Sequence, residues 1–270
     1  MRNPEHYTLI TGATSGIGYE LAKLFARDGH NLILVARTQR ELEKVADELL
    51  DFNKILQHRK ISVIPISQDL FDPDSAFQLY EEIRQRELIV DNLVNDAGQG
   101  LYGEFVDTDI RKELNIIQLN ISSLVVLTKL FLKDMVKRGF GRILNLSSVA
   151  SKTPGPLQSV YHGTKAFVQS FTEAICNEVK DSGVTITALL PGATATDFFN
   201  KADMLDAKNV REGNLASPAD VARDGFEALM KGDDMVVSGF GNKMYVAMGN
   251  LLPDAVVAEQ VYKTQAPSEK

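Results

Sequence analysis

Short apolar runs rich in β-branched residues alternate along this chain with longer segments whose apolar positions recur every three or four residues. The runs are YTLIT, NLILVA, ISVIPI, DNLVN, RILNLS, TITALL and DMVVSG, each followed or preceded by helix-like sequence. Seven strands in this rhythm predict a parallel sheet. Their nearly continuous apolar character predicts helices on both faces, because a strand covered on one side alone would alternate apolar and polar positions. The expected fold class is therefore α/β, a doubly wound parallel sheet of about seven strands.

The helical segments carry readable boundaries. SGIGYELAKLFARDGH closes on Gly29 as a C-cap, TQRELEKVADELLDF opens on Thr38 with Glu41 in the capping-box position, and DPDSAFQLYEEIRQREL starts at Pro73. A polar stretch of low periodicity, about residues 194–216, is longer than most connections and reads as a substrate lid. With no repeat, low-complexity tract or linker, residues 1–270 read as one domain, with a C-terminal extension over about 240–270 that ends in the frayed KTQAPSEK.

Composition narrows the function. The 270 residues are 44% hydrophobic and 24% charged, ordinary globular usage, and the net charge of −7 argues against a nucleic-acid or anionic-membrane binder, which needs a concentrated basic stripe. One cysteine, Cys176, sits in helix-like FTEAICNEV and reads as a buried structural thiol. The amino terminus lacks the pattern of a signal peptide, so the expected location is cytoplasmic. LNIIQLNISSLVVLTKLFL is the longest apolar helix candidate, but Asn115, Gln118, Asn120 and Lys129 interrupt it, and it reads as a core or interface helix rather than a membrane span.

The chemistry begins in TLITGATSGIG, which sets Gly12, Gly16 and Gly18 directly after the first strand and at the opening of the first helix. A strand, a tight turn and a helix N-terminus together offer free N–H groups and a positive dipole end to a pyrophosphate. The spacing differs from G-x-G-x-x-G and resembles the glycine motif of the short-chain dehydrogenase/reductase family, in its branch of about 250 residues, which implies a Rossmann-like fold. The resemblance places Gly12, Thr14, Ser15, Gly16, Ile17 and Gly18 around a dinucleotide. At the end of the second strand, LVARTQR has Ala36 near the place of a ribose-binding acid, followed by Arg37. A carboxylate there would repel a 2′-phosphate, whereas an arginine contact to phosphate is worth about 1.5–3 kcal/mol, so NADP(H) is expected over NAD(H). By the same resemblance Asp69 of SQDLFD hydrogen-bonds the adenine amino group with Leu70 beside it, and LVNDAG matches the family's Asn-Asn-Ala-Gly through Asn95, Ala97 and Gly98. Asp96 departs from that motif and cannot donate an amide hydrogen bond.

SVYHGTK places Tyr161 and Lys165 one helical turn apart, on a shared face. The strand-ending NLSSVAS adds Ser147 and Ser148, the latter thirteen residues before the tyrosine, and completes a resemblance to the family's Ser, Tyr-x-x-x-Lys arrangement. A phenol can protonate the oxygen of a carbonyl under reduction if its pKa falls, and moving it from about 10 to about 7 needs roughly 4 kcal/mol. An ammonium about 4 Å away supplies about 1 kcal/mol in bulk water and about 4 at an effective dielectric near 20, so partial exclusion of water is required. Tyr161 is thus the expected general acid and base, Lys165 the group that lowers its pKa, and Ser148 the residue that orients the substrate oxygen. The resemblance adds ribose contacts to Lys165, a water path or a helix-bending role to Asn120, and cofactor contacts to Pro191, Gly192, Thr194 and Thr196 of LLPGATATDFF. Neighbouring His162 reads as a surface histidine.

These readings converge on an NADP(H)-dependent oxidoreductase that interconverts a carbonyl and a secondary alcohol on a small apolar or acyl-type substrate. The alternatives are a catalytically silent NADP-binding sensor and a scaffold subunit. No metal site is expected, since His, Cys and carboxylates do not cluster at ligand spacing. Segments 115–135 and 161–179 resemble the family's dimer-forming helices and imply a homodimer or homotetramer.

Overall fold

Side chains of a strand alternate between its two faces, so strands as apolar as these require a core on each side of the sheet. A computed structural model, which describes residues 6–55, 60–249 and 253–267, shows both. Strands β1 (His6–Thr11), β2 (Asn31–Ala36), β3 (Val63–Ser67), β4 (Ile89–Asn95), β5 (Gly141–Leu146), β6 (Val184–Leu190) and β7 (Met235–Val237) form one sheet. All neighbours are parallel, in the order β3-β2-β1-β4-β5-β6-β7. Helices α1 (Gly16–Arg27), α2 (Gln39–Ile55), α3 (Ser75–Gln85), α4 (Ile110–Ile117), α5 (Leu124–Arg138), α6 (Ser159–Val179), α7 (Phe198–Lys201), α8 (Lys208–Arg211), α9 (Pro218–Lys231), α10 (Phe240–Gly249) and α11 (Asp254–Gln265) follow in chain order.

Consecutive strand residues enter different cores. Leu9, Ile33, Leu93 and Ile143 pack with Leu79 and Ile83 of α3, Leu127 and Phe131 of α5, and Ile175 of α6. Their neighbours Ile10, Leu34, Val94 and Leu144 pack with Phe25 of α1, Leu49 of α2 and Leu229 of α9. Each such side chain contributes about 1.5–3 kcal/mol on burial. The sheet order reverses between β1 and β4, and in a doubly wound sheet the crevice at that switch is where ligands bind.

The helix boundaries largely follow the local signals. Gly29 takes φ +78° just past α1, in the left-handed region that favours glycine, and the Thr38 carbonyl accepts the Glu41 and Leu42 N–H groups at 3.1 Å to open α2. Helix α3 starts at Ser75 with Asp74 in the cap position, two residues later than Pro73 predicts. Between α4 and α5, residues Gln118–Ser123 form a π-helical turn, a local widening frequent at functional sites, and it contains Asn120. The whole run Ile110–Arg138 is 29 residues long and, by length and composition, apolar enough to cross a membrane; 44% of its most apolar window is buried within the protein.

Residues 194–216 have more structure than their low periodicity predicts. Helices α7 and α8 enclose a small apolar cluster of Phe199, Ala202, Met204 and Ala207. The chain end is anchored against this segment. Lys208 N donates to Ala266 O at 3.0 Å, Ala207 pairs with Pro267, and the Tyr102 hydroxyl donates to Gln265 O at 2.6 Å. The tail expected to fray is therefore held by backbone hydrogen bonds as far as Pro267, and its last three residues lie outside the described ones.

Candidate active site

A cavity of about 490 Å³ opens at the carboxyl ends of the strands, reaching from Arg37 past Gly12, Lys165 and Tyr161 to Gln265. At one end is the glycine loop. Gly12 and Gly16 take φ of +70° and +59°, conformations that cost a side-chain-bearing residue energy. Ser15 makes no side-chain cap bond, and Ser15, Gly16 and Ile17 line the cavity at the start of α1. Gly18 serves a different purpose and lies behind the wall: a Cβ there would meet Asp96 Oδ2 at 2.5 Å and Gly12 O at 2.6 Å.

Asp96 therefore accepts where an amide would donate. Its carboxylate takes a hydrogen bond from the Gly18 N–H, and Thr11 Oγ1 accepts the Asp96 and Ala97 N–H groups at 3.1 Å, tying the loop to the end of β4. Oδ1 of Asp96 is buried without a partner. Burial pushes this carboxyl up to about 7, against the opposing effects of the Lys165 charge and the Gly18 N–H.

At the centre stand Ser148, Tyr161 and Lys165. β5 delivers the serines and α6 the other two. Both serines line the cavity; the Ser147 hydroxyl donates to Lys165 O at 2.8 Å and clamps α6 to the strand end, whereas Ser148 is hydrogen-bonded with the Tyr161 phenol. Burial pushes Tyr161 up to about 12, and the Ser148 hydroxyl opposes that rise. The expected lowering by Lys165 is not found in this geometry. Its ammonium, 5.8 Å from the centre of the Tyr161 ring, donates to Leu146 O at 2.7 Å and is coupled to Asp96. Burial brings Lys165 itself down to about 8, with Asp96 acting in the other direction.

Two of the expected cavity residues act from behind it. Asn95 Nδ2 donates to Thr128 Oγ1 at 3.0 Å and to Asn145 Oδ1 at 2.9 Å, joining β4, β5 and α5 rather than lining an adenine pocket. Asn120 accepts the Gln99 N–H at 3.0 Å and donates to Gln99 O at 2.9 Å and Thr164 Oγ1 at 3.0 Å. Both donors of that amide are used in bracing the strap that carries Gly98 over Lys165, so it is an internal amide between α6 and the loop after β4. Thr14, Ser15, Ile17, Arg37, Asp69, Leu70, Ala97, Gly98, Pro191, Gly192, Thr194 and Thr196 all line the cavity. Arg37 makes no ion pair among the described residues and lies over the Phe71 ring at 5.4 Å.

These residues line one cavity, and comparison with known proteins gives the family. The model of the family described as short chain dehydrogenase matches residues 6–205. This chain belongs to that family. Its relatives include the dehydrogenase/reductase SDR family member 7B of Mus musculus, 32% identical over 253 residues, covering 91% of this chain and 77% of the relative. Another, the very-long-chain 3-oxoacyl-CoA reductase of Bos taurus, is 33% identical over 197 residues, covering 70% of this chain and 60% of that one. Among solved structures, a short-chain dehydrogenase from Sphingobium yanoikuyae in complex with NADPH superposes with a TM-score of 0.78 at 28% identity, covering 91% of this chain and 93% of that one.

The far end of this dehydrogenase's cavity is built by residues that local motifs do not reveal. Asn242 and Tyr245 of α10 and Val261, Thr264 and Gln265 of α11 line it, and a Cβ at Gly192 would meet the Asn242 amide at 2.4 Å. Gln158, just before the tyrosine, lines it too. His162 is not at the surface: it is 6% exposed, because its ring lies over Gly155, where a Cβ would meet it at 2.0 Å, and bonds Thr153 O at 2.9 Å. Among the described residues no group of three metal-ligating side chains is found. Cys176, half-buried, donates to Ile186 O at 2.9 Å, and burial pushes its thiol up to about 11.

Proposed function

We propose that this protein is an NADP(H)-dependent reductase that converts a carbonyl into a secondary alcohol, and back, on a small substrate with an apolar body. The observation that carries this is the convergence of Ser148, Tyr161 and Lys165 on a cavity whose other end is the glycine loop and Arg37. The residues fit the cofactor: the positive-φ glycines and uncapped start of α1 suit a pyrophosphate, and Arg37, with Ala36 in place of an acid, suits a 2′-phosphate. When bound, the nicotinamide supplies or accepts the hydride. Ser148 holds the substrate oxygen, and Tyr161 donates its phenolic proton to that oxygen. A phenol pushed up to about 12 holds its proton at neutral pH, and giving it up requires that the Lys165 charge and the positive charge of the oxidised nicotinamide stabilise the phenolate once the site is filled. Lys165 holds the ribose and keeps a positive charge next to Tyr161.

Arg37 sets the cofactor preference in this reading. Arg37→Ala is expected to lower the ratio of kcat/KM with NADPH to that with NADH by about 10- to 100-fold. An unchanged ratio, or a wild-type enzyme that uses NADH equally well, would remove the guanidinium from the phosphate.

We also assign residues 194–216 as the lid: Phe198, Phe199 and Met204 bring an apolar wall to the cavity, with Phe198 5.1 Å from the Tyr161 ring, centre to centre. The exposed apolar side chains Ile110, Leu114, Ile117 and Phe167 on α4 and α6 support assembly into a homodimer or homotetramer with 110–138 at the interface. Light scattering should then return a mass at least twice the chain's 29.8 kDa, reduced to one chain by Leu114→Lys with Phe167→Lys.

A further inference from the structure

We infer that the substrate end of the cavity selects a ketone carrying a hydroxyl group close to the reacting carbonyl, held between the Gln158 amide nitrogen and the Gln265 amide oxygen; this rests on the reductase reading above. Both glutamines line the cavity, at 5% and 7% exposure, and each has one buried polar atom without a partner, Nε2 of Gln158 and Oε1 of Gln265. Such atoms are uncommon in folded proteins and ask for an explanation.

Gln265 is held by its neighbours. His162 Nδ1 faces Thr153 O at 2.9 Å and must donate to it, and burial keeps the ring neutral by lowering its pKa. The ring also bonds the Ala150 backbone, and its Nε2 lies 3.3 Å from Gln265 Nε2, with Gln265 Oε1 buried without a partner. The backbone fixes the residue too, through the Tyr102 hydroxyl on Gln265 O. Gln158 is braced in the same network, its carbonyl accepting the His162 N–H at 3.0 Å. Its Nε2 and the edge of the Tyr161 ring flank Gly100: a Cβ there would lie 3.3 Å from Gln158 Nε2 and 3.4 Å from Tyr161 Cδ2.

A free donor and a free acceptor on the wall of the cavity that holds the phenol call for a ligand group able to accept from one and donate to the other. A hydroxyl does this with one atom. A carboxylate or thioester oxygen would satisfy Gln158 and leave Gln265 facing a second acceptor. The hydroxyl therefore lies on the carbon next to the carbonyl or a few atoms from it, with the apolar remainder against Phe198, Met204 and Val261.

The test follows NADPH oxidation with 2-butanone, 1-hydroxy-2-butanone, 4-hydroxy-2-butanone, 2-pentanone and 5-hydroxy-2-pentanone. At least one hydroxyketone is expected to exceed its parent ketone in kcat/KM by about 10- to 100-fold. Gln158→Leu and Gln265→Leu should each reduce that preference to about threefold or less while NADPH still binds, as read by its fluorescence. Gln158→Met and Gln265→Met serve if a leucine variant fails to fold. Equal kcat/KM for hydroxylated and parent ketones, preference retained in the variants, or a 3-oxoacyl thioester outpacing every hydroxyketone would overturn this inference and leave the reductase reading standing. No NADPH consumption with any carbonyl compound would overturn both.

Discussion

Tyr161→Phe is expected to lower turnover by about 10²- to 10⁴-fold with NADPH affinity unchanged. The phenol is the one acid on the cavity hydrogen-bonded with the substrate-orienting Ser148, and it sits in a place dry enough to push it up to about 12. Phenylalanine keeps the ring, its packing against Phe198 and the shape of the cavity, and removes only the proton. The lost hydrogen bond with Ser148 costs about 1 kcal/mol, too little to unfold the chain, so a fall in kcat can be assigned to chemistry. Stopped-flow reduction of a ketone together with NADPH titration by fluorescence checks both halves. Full turnover in the variant would remove the phenol as proton donor and defeat the proposed mechanism.

Lys165→Met should show an effect whose size depends on pH. Two opposing shifts meet at this residue. Asp96, raised from 3.8 to about 7, keeps its proton in the folded chain between about pH 4 and 7 where the unfolded chain has lost it, so its contribution to stability is lost as pH rises through that window. Lys165, lowered from 10.5 to about 8, costs stability below pH 8, and the cost is relieved as pH rises to about 10.5. Methionine removes the buried ammonium and leaves the Asp96 carboxylate without its cation. At pH 8 that charge has no cation beside it, and the expected loss is about 3 kcal/mol, or roughly 6–12 °C in Tm. At pH 5 Asp96 is protonated and the fall in Tm should be small or absent. Asp96→Asn in the Lys165→Met background should flatten the difference between the two pH values. A Tm loss independent of pH, or undiminished in the double variant, would show that the two groups are not coupled. Turnover should fall at every pH, since the ribose and the phenol lose the same cation.

Much of this protein was legible before folding was considered. Strand identity came from β-branched runs such as NLILVA, and the burial of alternate residues Ile33 and Leu34 in opposite cores is the direct result of that composition. Gly12, Gly16, Ser148, Tyr161 and Lys165 could be named because the constraints on them are local: a turn with positive φ, a strand end, one helical turn of spacing. Arg37 was found the same way, from its place at the end of β2.

Other features had no local signal. His162 reads as exposed when only its helix is considered, and is buried because α11, a hundred residues later, lays Gln265 on its ring nitrogen. Asn95 reads both as a strand stabiliser and as an adenine contact, and its amide joins β4 to β5 and α5. Asp96 reads as a defect in a motif until the backbone N–H of Gly18 and the charge of Lys165 are seen to meet it. The sequence alone pointed to the strands and most helix boundaries, since periodicity and turn geometry act over a few neighbours, and with the family resemblance it named the residues proposed for the chemistry. Only the tertiary structure decided the protonation of Tyr161, Lys165 and Asp96 and the wall made by Gln158 and Gln265. Desolvation and charge pairing depend on which distant segments exclude water from a group, and that is a property of the assembled fold.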